Sequence, residues 1–253
     1  LLLVIHMLIE KEVENILKRG GFDYCRYSGC FDIAAKRDFT LFLKILGNVD
    51  SLQESQAKNL KILSRDFNAT VAIIGVHTRR ESLKNNIVYA RFDIPTFTPT
   101  TLENIVVNDM MPLLYRFRGG MFAEIDPDKL RMKRKKAGLT QQELADRVEI
   151  TKKNVYEHER ERKKALYETV KKIEAIIGDV TDTLNLNAGF SDIFNAPREG
   201  FEKVVYNDFR RIGFITDSVS QTPFNIVAKD QKMIIVSKAD ENKKRVEKDV
   251  PHI

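Results

Sequence analysis

A chain of 253 residues with 43% apolar content is long enough for one large domain or two to three small ones, and no apolar run approaches the roughly 20 residues of a membrane span. The net charge of +6, from 42 Lys+Arg against 36 Asp+Glu, is unevenly placed: residues 128–178 hold 15 basic and 9 acidic side chains, which leaves 27 against 27 elsewhere. A local excess of this kind is the electrostatic footprint of a segment that approaches a phosphate backbone. Cys25 and Cys30, with four residues between them, lack the spacing of a CxxC redox pair and the His/Cys company of a zinc site. Reduced structural thiols in a cytoplasmic protein are expected, with no cofactor, no metal and no membrane partner.

In chain order, residues 1–5 precede His6 and Met7 and are read as an upstream remnant, with the natural start at Met7. Residues 7–20 place Leu8, Ile9, Val13, Ile16 and Leu17 at helical spacing and close on Gly20 and Gly21. Residues 31–35 and 39–46 predict a strand hairpin turning at Lys36, Arg37 and Asp38. Helix periodicity returns over 53–67 through Ala57, Leu60, Leu63 and Phe67. Two further strand-like runs, 70–75 and 87–92, precede Pro95, Pro99 and a helix over 101–107. This α-β-β-α-β-β-α order implies a small α/β domain with a mixed sheet over 7–112. Residues 113–125, carrying Gly119 and Gly120, read as a linker or a short strand leading out of it.

Residues 126–178 predict a compact all-α bundle. Asp126 caps a helix that has Pro127 at its first position, where a missing N–H is harmless, and the helix continues over 130–136. Thr140 and Glu143 form a capping box. Eleven residues on, Thr151 caps a second short helix that turns Val155 and His158 inward and carries Lys152, Lys153, Asn154, Tyr156 and Glu157. A last helix over 166–177 lines up Val170, Ile173, Ile176 and Ile177. A polar connector, 179–197, leads to 198–253, which repeats the first domain. Residues 11–22 align without gaps to 203–214, and 31–36 to 224–229, each followed by an apolar run ending in Lys44 or Lys238. This copy is partial: it runs into the charged stretch 240–249 with no match to the strands at 70 and 87.

The motif Leu139-Thr140-Gln141-Gln142-Glu143-Leu144-Ala145, followed by Ile150-Thr151 and Val155, resembles the Xre/Cro family of helix-turn-helix regulators over about residues 130–178. The resemblance implies a recognition helix from Lys152 to about Arg160 in the major groove of duplex DNA, with the preceding helix across the backbone. Carried over by position, Lys152, Lys153 and Tyr156 face base edges or groove phosphates, Thr151 and Asn154 lie beside them, and Gln141 and Arg160 hold phosphates. Glu149 and Glu161 stand where the family often has Gly, and with Glu157 they place negative charge toward DNA.

The flanking copies resemble the PD-(D/E)xK nuclease fold, most closely the archaeal Holliday-junction resolvases. Such enzymes hold a divalent metal between two carboxylates beside a lysine, with a further acid on the first helix. By motif, the first copy offers Glu10, Asp32 and Lys44, with Phe42 in place of the second carboxylate. The second offers Glu202 and Lys238, with Asn225 and Val236 where both acids belong. Loss of these ligands implies a degenerate site and no enzyme, with Asp32 and Lys44 left as an ion pair on the sheet. Taken whole, the order of segments resembles a family of archaeal helix-turn-helix transcriptional regulators from Met7 onward, carried by 31–35, 93–102 and the central motif.

The expected fold class is therefore α/β plus all-α: a nuclease-like mixed-sheet domain, a central Xre/Cro-type bundle and a partial second nuclease-like repeat. The leading expectation is a sequence-specific, non-catalytic duplex DNA binder that acts in transcription as a homodimer. Glu10, Asp32 and Lys44 motivate the alternative, a structure-specific junction binder or metal-dependent nuclease relative. A third reading uses the bundle as a protein-binding adaptor.

Overall fold

The computed structural model describes residues 2–117, 119–183, 186, 190, 193–197 and 199–242, and the statements below concern these. The predicted hairpin is present as β2 (Ile33–Lys36) and β3 (Thr40–Asn48), paired antiparallel. Period-two alternation along β3 sends Leu41, Leu43 and Ile45 into one core and Phe42 into another on the opposite face, where Lys44 also points. The first face is covered by α1 (Leu2–Arg19), through Ile9, Val13, Ile16 and Leu17, and by α3 (Pro99–Val106), through Leu102 and Val106. The second is covered by α2 (Glu54–Phe67), through Ala57, Leu60 and Leu63. Helix α1 already runs ahead of Met7, and Ile5 packs against the core.

Two strands of this domain are absent from the predicted order. β1 (Asp23–Arg26) is a mostly exposed edge strand and so shows no apolar alternation. β6 (Ile94–Phe97) is fully buried and contains Pro95. It pairs antiparallel with β5 (Ile87–Arg91) and parallel with β4 (Thr70–His77), but the β4 ladder involves only Thr96 and Phe97, which leaves the missing proline N–H outside it.

Of the two readings of residues 113–125, a linker or a short strand, the structure has strand. They form the hairpin β7 (Leu114–Phe117) and β8 (Gly120–Ile125), and Gly119 in its turn has φ 99°. β7 adds in parallel to β5, and β8 receives β9 (Lys163–Leu166), a strand inside the predicted bundle. The result is one nine-stranded sheet in the order β1-β2-β3-β4-β6-β5-β7-β8-β9. Sequence reads this stretch as a linker because only Tyr115, Ala123 and Ile125 are buried and the strand that completes it lies some forty residues downstream.

The bundle comprises α4 (Pro127–Lys136), α5 (Gln141–Val148), α6 (Lys152–Arg160) and α7 (Tyr167–Ile177). Leu130, Leu139, Leu144, Val148, Val155, Val170 and Ile173 form its core together with Ala123 and Ile125 of β8 and Ala165 of β9. The helical unit is thus joined to the sheet through shared core residues.

The C-terminal repeat folds as α8 (Phe201–Arg211) and a separate antiparallel sheet of β10 (Ile215–Ser218), β11 (Ile226–Lys229) and β12 (Ile234–Ser237). Its likeness to α1-β1-β2-β3 extends to register: Ile33 faces Leu43, and the aligned Ile226 faces Ser237. The helix ends also match, with Phe22 N donating to Leu17 O at 3.0 Å and Phe214 N to Phe209 O at 3.1 Å, each after a glycine at positive φ. The connector expected over 179–197 and the charged run 240–249 fall partly outside the described residues.

Candidate nucleic-acid interface

Thr140 Oγ1 accepts from Glu143 N at 3.1 Å and Glu143 returns the bond to Thr140 N at 2.7 Å, which fixes the start of α5. At the turn, Glu149 adopts the left-handed conformation, φ 60°, that glycine fills more cheaply. Thr151 then caps α6 by accepting from Asn154 N at 3.1 Å. Val155 and His158 point inward, and Thr151, Lys152, Lys153, Asn154, Tyr156 and Arg160 are exposed. Burial holds the His158 imidazole below its usual value, which keeps it neutral at pH 7.

The inner face of α6 also carries a charge. Glu159 is buried and accepts a two-pronged contact from buried Arg134 of α4, Nε to Oε1 at 2.5 Å and Nη2 to Oε2 at 3.1 Å. Arg134 Nη1 reaches Leu139 O at 2.6 Å, and Gln141 Nε2 donates to Glu159 Oε2 at 2.7 Å. Burial pushes the Glu159 carboxyl up, but the hydrogen bonds from Arg134 and Gln141 outweigh it and hold the group below the usual carboxylate value. This network clamps α4, α5 and α6 together. Sequence reading missed it, although a signal exists: Glu159 follows inward Val155 by four positions and so lies on the buried stripe.

The acidic residues near the expected DNA face are each paired with lysine. Glu149 meets Lys172; Glu157 meets Lys163 at 3.1 Å and Lys153 at 3.8 Å; Glu161 meets Lys163 at 2.9 Å. Each exposed pair is weak, yet together they offset the charge that α6 would otherwise present to phosphate.

On the far face of the sheet, Asp32 and Lys44 are buried and meet at 2.9 Å; Lys44 Nζ also donates to Gly29 O at 2.8 Å, and Asp32 accepts from Ile45 N at 2.6 Å. Both Asp32 oxygens are thereby engaged. Phe42 packs tilted against Phe31 and edge-to-face against Phe67, at 5.1 and 5.5 Å between ring centroids, and Phe67 reaches Phe224 of the C-terminal unit at 6.1 Å. Glu10 does not join the pair: its charge acts on Arg26, which pairs with Glu14. In the second copy Asn225 takes over the positional role of Asp32, accepting from Ala239 N at 2.7 Å and donating to Glu202 at 3.2 Å, with partly buried Lys238 at the place of Lys44. An engaged aspartate beside a phenylalanine does not fit the donor set of a divalent cation.

A family model for the PD-(D/E)XK superfamily domain matches residues 7–112, and one for the helix-turn-helix matches 130–183. A protein of Pyrococcus furiosus is 32% identical over 241 residues, 91% of this chain and 76% of its own. One of Methanothermobacter thermautotrophicus is 33% identical over 226 residues, 88% and 71% of the two chains, and one of Methanocaldococcus jannaschii is 30% identical over 236, 90% and 74%. All three bear the name "Putative HTH-type transcriptional regulatory protein". The chain belongs to this archaeal family of HTH-type transcriptional regulatory proteins. No solved structure matches it.

In this HTH-type regulatory protein the nuclease-like face is closed by the C-terminal unit over residues 199–242. Cys30 N donates to Gln221 O at 2.7 Å, and the chains approach so closely at Gly29 that a Cβ there would lie 2.0 Å from the same oxygen. Burial at this contact pushes the Cys30 thiol up to about 12, leaving it unreactive. Arg65 of α2 reaches across to Asp217 of β10, and Asn59 Nδ2 donates to Ser220 O at 2.8 Å. Among the described residues no helix is long and apolar enough to cross a membrane.

Proposed function

We propose that the protein is a sequence-specific, non-catalytic duplex DNA-binding regulator of transcription, with α6 in the major groove. One observation carries this reading: Lys152, Lys153, Asn154, Tyr156 and Arg160 form an exposed polar row on a helix whose opposite face is anchored by Val155 and the Arg134–Glu159 clamp. A preorganised basic helix of this kind can place side chains at base edges while Thr151 and Arg160 lie near phosphates. The amide of Gln141 also supports Glu159. The names of the archaeal relatives and the confinement of net charge to 128–178 point the same way.

In this reading the bundle over 126–178 contacts DNA, and the units over 7–112 and 198–253 serve as scaffold and contact between two copies. A homodimer sets two α6 helices about one helical turn apart on half-sites, in the cytoplasm where DNA is accessible. Selection from random duplexes should enrich a bipartite motif, and Lys152→Glu with Lys153→Glu should abolish that enrichment. Enrichment that survives the double change would show that α6 is not the reader. The absence of catalysis is supported by Phe42 and by the engaged oxygens of Asp32.

A further inference from the structure

Strands β5 and β6 are joined by a two-residue turn, Phe92 and Asp93, with Arg91 paired to Ile94 across it. Both turn residues have positive φ, 49° and 63°. Such turns suit Asn-Gly or Asp-Gly, and a bulky ring held in the left-handed region is an outlier that costs stability. Packing does not repay that cost, because Phe92 is 46% exposed. A strained residue with nothing to hold in the core points to a contact outside the protein.

The surroundings indicate which contact. Phe92 forms a wall shared by two clefts. The larger, about 1190 Å³, is lined by Arg79, Arg80, Arg91 and Arg116 with the ring of Phe117. The smaller, about 560 Å³, is lined by Lys58, Lys61 and Phe194, a residue 62% exposed whose ring has the Arg65 guanidinium on one face at 4.7 Å. Across both, six basic side chains face four acidic ones, Asp50, Glu54, Glu81 and Asp93. Asp50 is held by Arg91 at 2.7 Å and Asp93 by Lys61 at 3.1 Å. The net charge is positive but small, so phosphate attraction alone gives little affinity. The two exposed rings, Phe92 and Phe194, set among cations suit a ligand that offers flat π faces beside phosphates. A duplex hides its base faces, whereas an unpaired strand presents them.

We infer that this double cleft binds an unpaired nucleic-acid strand, with Phe92 stacking on a base and Arg79, Arg80 and Lys58 holding neighbouring phosphates. The site is independent of α6 and of the closed nuclease-like face, so the inference does not rest on duplex reading by the helix-turn-helix.

The test uses the whole chain and fluorescent oligothymidylate and oligouridylate of about 15 nucleotides, with anisotropy read over a salt series. Binding should weaken as salt rises. Phe92→Asn should lower strand affinity about tenfold by removing the stacking ring. Its thermal midpoint should be equal or higher, because Asn tolerates positive φ. Arg80→Gln should reduce the slope of log affinity against log salt by about one. Neither variant should change duplex selection, and Lys152→Glu with Lys153→Glu should leave strand binding intact. Preference for one oligomer identifies the strand as DNA or RNA and supports the site in either case. No strand binding at low salt, or undiminished affinity in Phe92→Asn, overturns it.

Discussion

Glu159 is the residue on which the placement of α6 depends. A carboxylate and a guanidinium removed from water carry a desolvation cost that only good mutual geometry offsets, and here both prongs and a third bond from Gln141 are in place. Glu159→Ala leaves Arg134 buried without its partner and should cost about 3–5 kcal/mol in urea unfolding. The pH dependence follows from the direction of the shift. The folded value lies below the free value of 4.5, so the contribution is complete above 4.5 and is lost as pH falls through the folded value. Urea midpoints measured down from neutral pH should therefore drop more steeply in the native protein than in Glu159→Gln. Equal slopes would mean that the clamp contributes nothing to acid sensitivity.

Among the elements, β9 connects the helix-turn-helix to the rest of the fold. It begins three residues after α6 ends and pairs with β8 from Phe122↔Leu166 to Ile125↔Lys163. Its Ala165, with Ala123 and Ile125, completes the core of the bundle. A fragment covering residues 126–183 lacks β8 and exposes that core. A fragment covering 113–183 keeps the β7–β8 hairpin and should melt at a clearly higher temperature by circular dichroism. Equal melting temperatures would show that the helices are self-sufficient. The same pairing fixes how α6 is presented, since a strand in a sheet ladder cannot swivel as a free linker can.

At the scale of the molecule, the C-terminal unit packs back onto the N-terminal domain. The face that carries Asp32, Phe42 and Lys44 packs against Val219, Phe224 and Val227 of the second copy, so a substrate cannot reach it without parting the two. Restoring the missing acid as Phe42→Asp places an unpaired carboxylate among Phe31, Phe67 and Phe224. It should cost about 3 kcal/mol or more and should yield no magnesium-dependent cleavage of branched DNA. Cleavage by that variant would show that the face still opens. Because this surface is occupied within one chain, it is not open to a second copy.

Local order and chemistry were legible in the sequence. The capping pairs Thr140–Glu143 and Thr151–Asn154, the inward Val155 and His158, and the hairpin at 33–48 depend on neighbours within a few positions, where periodicity and cap chemistry act directly. Tertiary structure decided what depends on distant partners. β1 and β6 become strands only through the sheet around them, 113–125 becomes a hairpin because β9 pairs with it, and Glu159 becomes a clamp because Arg134 lies buried opposite. Those outcomes rest on desolvation and on ladders closed across long stretches of chain, quantities that no local window contains.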